Sequence, residues 1–126
     1  MYRTAREAYS SGAKTSTSSR QLEAQALSRA AQRLEESRST SDIDGTELVR
    51  SALRHNQKLW TLFQANLIQP EHGMDLGLRK SLLELSLFVD KTTFELLVRP
   101  DAAKVQPLID INRQLAAGLS VANAAS

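Results

Sequence analysis

The chain has 126 residues, 41% of them apolar, a formal charge of +2 and no cysteine. That length supports one domain with a real core and falls short of two. The missing thiols exclude disulfide frameworks, thiolate zinc sites and cysteine nucleophiles. Few aromatics and many Leu and Ala favour helices over sheets. Residues 1 to 41 hold seven Lys or Arg against four Asp or Glu, and the rest nine against ten. So modest an excess argues against direct nucleic-acid binding. No window reaches the apolar run of a membrane span, and Arg3, Arg6 and Glu7 interrupt any secretory signal. The expected compartment is the cytoplasm, without membrane insertion.

Tyr2, Ala5, Arg6 and Tyr9 recur at helical spacing. They predict a short first helix, with both tyrosines on one side, that must dock on the bundle or on a partner. Ser10 to Ser19 reads as a polar linker. A second helix, capped by Ser18 or Ser19, runs to about Glu36 with Leu22, Ala26, Leu27, Ala30, Ala31 and Leu34 on its apolar side. Alanine permits close approach but buries little area, so this helix is expected to be the most loosely held of the long ones. Residues 1–41 thus read as a helical arm with a Ser-rich linker, loosely attached to a bundle core over 42–121, and 122–126 as a fraying tail.

Ser37 to Gly45 breaks the pattern, and Asp44 with Glu47 forms a capping-box arrangement that opens a third helix reaching about Leu67. Its main stripe is Val49, Leu53, Asn56, Trp60, Phe63 and Leu67. After Pro70, Gly73 and Gly77, Asp75 is the expected cap of a long helix over about 76–98. One stripe there is Leu78, Leu82, Leu85, Val89, Thr92 and Leu96; a second, about 100° around, is Leu83, Leu87, Asp90, Phe94 and Leu97. Two stripes ask for neighbours on two sides, which places this helix at the centre. Pro100 ends it. A last helix from about Ala102 to Ser120 tolerates Pro107 near its first turn and has Val105, Leu108, Asn112, Leu115 and Leu119 as its seam. The expected fold is all-α, a small bundle of four to five helices.

Catalytic constellations are missing. His55 and His72 are the two histidines, and no carboxylate pair frames either at metal-ligand spacing. No Gly-rich phosphate loop or nucleophile elbow is present. The chain reads as a non-enzyme without cofactor or metal. Asn56, Asp90 and Asn112 each interrupt an apolar stripe of a different helix. Either they form an internal polar layer that fixes helix register, with Asn56, Asn112 or Arg113 donating to Asp90, or they line a groove for a peptide backbone. Trp60 and Phe88 are the aromatic candidates for a partner surface, beside Tyr2 and Tyr9. Trp60 lies on a main seam, which favours core packing, whereas Phe88 projects between Glu84, Lys91 and Glu95.

Three segments, Asn56-Gln-Lys-Leu-Trp60, Leu85-Ser-Leu-Phe-Val-Asp90 and Pro107-Leu-Ile-Asp-Ile-Asn-Arg113, resemble in that order the signature blocks of the FlaF family of flagellar biosynthesis regulators. Arg20-Gln-Leu-Glu-Ala24 is similar to the start of that family's second helix. The resemblance implies a small cytoplasmic helical protein that supports flagellin synthesis and secretion, binds flagellin as a chaperone or export adaptor, and acts with the regulator FlbT. The alternative it leaves is post-transcriptional control of flagellin expression, through FlbT or the flagellin message. Salt separates the two, because phosphate contacts weaken steeply with added salt and an apolar groove does not.

Overall fold

In the computed structural model the backbone is described for residues 5–39, 43–67 and 75–125, and the side chains for 20–39, 46–66 and 75–120. These residues form an all-α bundle of α1 (Ala5–Arg38), α2 (Ile43–Leu67), α3 (Leu76–Val98) and α4 (Gln106–Ala125), with a short 3-10 turn over Ala102–Val105 before α4.

α1 is a single helix. It runs through Ser10–Ser19, where the composition predicts a linker between two helices. Serine and threonine cost only a few tenths of a kcal/mol per residue in a helix, and the segment has no proline. Extending a helix that is already anchored avoids the cost of a new nucleus. The anchor is the second half, where Leu27, Ala30, Ala31 and Leu34 are 1% exposed or less. This half was expected to be loosely held, yet it packs on both α4 and α2. Its alanines let the neighbouring backbones approach, and Leu27 and Leu34 supply the buried area. At its end the Ser37 and Ser39 hydroxyls donate to the carbonyls of Leu34 and Glu36 at 2.7 and 2.8 Å, giving partners to terminal groups.

α2 buries Val49, Leu53, Asn56, Trp60 and Phe63 of its predicted stripe, with Ala52 beside them, and the Leu67 side chain lies outside the described residues. It begins at Ile43, so Asp44 lies within the helix instead of capping it. α3 spans the predicted residues, and the Asp75 carboxylate accepts from the Leu78 amide at 3.2 Å. Its place differs from the expectation. α2 is its main neighbour, and the middle of the bundle goes to α1 and α2. The buried seam is Leu82, Ser86, Val89, Thr93 and Leu96: it keeps Leu82, Val89 and Leu96 of the first expected stripe and adds Ser86 and Thr93 from the side facing the second. Ser86 can be buried because its hydroxyl donates to the Leu83 carbonyl at 2.7 Å, and its small size lets α3 lie close to α2. α4 buries Leu108, Ile109, Asn112, Ala116 and Leu119. It continues to Ala125, past the Ser120 end that the pattern predicts and through most of the expected tail.

Candidate functional site

Two of the polar interruptions meet. Asn112 of α4 donates from Nδ2 to Asn56 Oδ1 of α2 at 2.7 Å, and its Oδ1 accepts from Trp60 Nε1 at 2.9 Å. The indole nitrogen can only donate, so it fixes the orientation of the Asn112 amide. Nδ2 also reaches the Leu27 carbonyl of α1 at 3.4 Å. Asn112 therefore ties α4 to both α2 and α1, in a setting where Asn56, Trp60 and Asn112 are wholly buried. Trp60 adds an edge-to-face contact with Phe63, ring centres 5.5 Å apart.

Asp90 and Arg113 stand apart from this node. Asp90, half-buried, accepts from Gln64 Nε2 at 2.9 Å at the edge of the α2–α3 contact, where α2 supplies the donor and water is close. Arg113 points outward and lies 3.7 Å from Glu35 of α1. The hydrogen bond from Arg38 holds the Glu35 carboxyl below its ordinary range against the opposing effect of desolvation, with the charges of Arg38 and Arg113 adding to the lowering. Asn56 Nδ2 of α2 and Thr93 Oγ1 of α3 are buried and have no hydrogen-bond partner among the described residues.

The node removes Trp60 from any partner surface, since its polar edge is taken by Asn112 and its ring lies in the core. Phe88 is about half exposed, at 48%. Tyr2 lies outside the described residues, as does the side chain of Tyr9. His55 is on the surface of α2, where partial burial and the charges of Arg33 and Lys58 lower its pKa. Among the described residues, no group of three His, Cys, Asp or Glu is placed to hold a metal ion, and no helix is long and apolar enough to cross a membrane.

Among the described residues, exposed apolar side chains gather on the outer side of α3. Leu76, Leu87, Phe94 and Val98 are 64–71% exposed and share one side of the helix, with Leu83 and Leu97 half-buried along its edge. The stripe extends about 33 Å. A groove of about 490 Å³ between Leu83, Ser86 and Leu87 of α3 and Thr61, Gln64 and Ala65 of α2 continues it sideways. Leu76 and Val98 belong to neither predicted stripe; periodicity identifies Leu83, Leu87, Phe94 and Leu97 as part of the second stripe and assigns them to the interior. The signal that places them outside is composition along the helix: Asp90 breaks this stripe, while the true seam carries small Ser86 and Thr93.

A profile of the family described as flagellar protein FlaF matches residues 5–119. The chain belongs to the FlaF family. The match runs from the start of α1 into the last turns of α4, so all four helices are part of it. No curated protein and no solved structure is similar enough to count as a match. Two of the segments that carry the FlaF resemblance supply the buried node, Asn56 and Trp60 from one and Asn112 from the other. The third supplies Ser86 and Val89 of the α2–α3 seam, together with Asp90.

Proposed function

We propose that this FlaF-family chain is a non-enzymatic cytoplasmic protein that binds flagellin and supports its synthesis and secretion, as a chaperone or export adaptor working with FlbT. The observation that carries the reading is the apolar stripe of Leu76, Leu87, Phe94 and Val98 on a helix with one main neighbour. An amphipathic helix laid along that stripe would bury its own apolar side and exclude water from these four side chains. Full burial of such side chains is worth about 1.5–3 kcal/mol each, and the apolar side chains of the ligand helix add a similar gain against an association cost of about 4–15 kcal/mol. Terminal segments of flagellin, amphipathic and prone to aggregate before assembly, have the matching chemistry.

Isothermal titration of purified flagellin into the full chain, at low and high salt, tests the proposal. Binding in the micromolar range or tighter that survives salt is expected, together with at least a tenfold loss in Leu87→Ser/Phe94→Ser. Phe88→Ala is expected to lose less, because Phe88 stands off the stripe. Retention of full affinity by the double variant would remove α3 from the mechanism.

A further inference from the structure

A second surface lies on the opposite flank of α2, between α2 and α1. The two helices run antiparallel, with Arg33 of α1 donating from Nη2 to Ser51 Oγ of α2 at 3.2 Å at one end. Towards the other end opens a groove of about 560 Å³ lined by Leu22, Ala26, Leu27, Leu59, Leu62 and Phe63. Leu22 and Leu62 stand 63% and 70% exposed at its mouth. The same stripes continue from this apolar end into a basic one. On α1, Leu22, Ala26, Arg29 and Arg33 recur at four, three and four residues; on α2, Ser51, His55, Lys58 and Leu62 recur at four, three and four in the opposite sense. Arg29, Arg33, His55 and Lys58 are exposed.

Among the described residues no carboxylate lies within ion-pair distance of Arg29, Arg33 or Lys58. Glu36 accepts from Gln32, and Glu47 pairs with Arg50. Besides the effect of partial burial, Arg33 and Lys58 lie close enough to His55 for both charges to disfavour its charged form. The groove's own carboxylate, Glu23, is half-buried at the apolar end, away from the cationic rim.

From this arrangement we infer that the α1–α2 groove is a second docking site, and that its occupant is an acidic amphipathic helix of about three turns. Leu22 to Arg33 spans about 17 Å along α1, which sets that length. Apolar side chains at one end of the ligand helix fill the space between Leu22, Ala26, Leu59 and Leu62. Acidic side chains one to two turns further on meet Arg29, Arg33 and Lys58. Charge complementarity selects this ligand over a purely apolar one, and the apolar end selects it over a polyanion, which would leave Leu22 and Leu62 uncovered. The groove meets the one beside α3 at Ala65, but Leu22, Ala26, Leu59, Leu62 and the cations lie apart from Leu76, Leu87, Phe94 and Val98, so the site stands whether or not that stripe binds flagellin.

The test is a titration of the isotopically labelled full chain, followed by NMR, with a capped 14-residue peptide. The peptide has Leu at positions 3, 6 and 7 and Glu at positions 10, 13 and 14 on an alanine background. Its twin carries Lys in place of each Glu. Expected are shift changes at Leu22, Ala26, Leu59 and Leu62 and submillimolar binding. Lys58→Glu and Leu62→Gln, both exposed positions that leave the fold intact, are each expected to weaken binding at least fivefold, and the lysine twin to bind at least tenfold more weakly. Equal binding of the two peptides, shifts confined to α3, or no binding at millimolar peptide would each overturn the inference. So would a single-stranded RNA oligonucleotide that displaced the peptide and ignored Leu62→Gln, for the face would then be a phosphate-binding surface.

Discussion

α1 is the least apolar of the four helices and α3 the most. Burial runs the other way. The second half of α1 sits between two neighbours with Leu27, Ala30, Ala31 and Leu34 almost fully covered, while α3 leans mainly on α2 and leaves Leu76, Leu87, Phe94 and Val98 to solvent. Small residues explain half of the inversion, because alanines let α1 approach two helices at once. Polar satisfaction explains the other half. Asn112 is bonded towards α2 and α1, whereas the buried seam of α3 contains Thr93 Oγ1 with no hydrogen-bond partner among the described residues. A helix with surplus apolar surface and one main neighbour is suited to an intermolecular role; one buried on two sides is suited to hold the fold.

The contrast predicts a ranking of effects. Asn112→Ala strands Trp60 Nε1 and removes the link between α4 and both neighbours, and is expected to cost about 3 kcal/mol in urea unfolding. Thr93→Val acts in the opposite direction. It replaces a hydroxyl without a partner by a methyl group of nearly the same size, and a gain of about 1 kcal/mol is expected in the same experiment. A loss would mean that the hydroxyl is bonded and that the buried seam of α3 is as well satisfied as the rest. Leu87→Ser and Phe94→Ser, on the open side of α3, are expected to change stability by about 0.5 kcal/mol or less while lowering flagellin affinity.

The smallest effect concerns the surface link between α1 and α4. Glu35 has its pKa lowered in the folded state by Arg38 and Arg113, so its contribution is complete above the ordinary carboxylate pKa of about 4.3 and fades as pH falls through the lower folded value. Stability curves of the parent and Glu35→Gln are expected to differ slightly at pH 7 and to converge in acid. Curves that diverge as pH falls would contradict the assigned direction.

Much of this was legible in the sequence, because the information is local. Helix ends at Asp75 and Pro100, the stripe of α2 and the seam of α4 follow from caps, prolines and spacing. Asn56 and Asn112 announced themselves as polar residues on apolar seams. Less legible was which helix lies inside. Periodicity shows that a stripe is apolar and not what covers it, so both stripes of α3 looked internal and Phe88, off both of them, looked like the exposed aromatic. The continuity of α1 was hidden for a related reason. A Ser-rich segment reads as a linker when judged by itself, and its helicity depends on the anchored turns that follow. The basic end of the α1–α2 groove combines residues from two helices, a pairing that no window along the chain displays.

Native-state hydrogen exchange on the full chain, with and without flagellin, tests the division of labour most directly. The account predicts that amides of α3 exchange through openings of lower free energy than those of α2, α4 and residues 20–38 of α1, and that flagellin slows α3 most. If α3 exchanges last in the free protein, or if flagellin protects the other helices and leaves α3 unchanged, the assignment of α3 as the partner-binding helix is wrong.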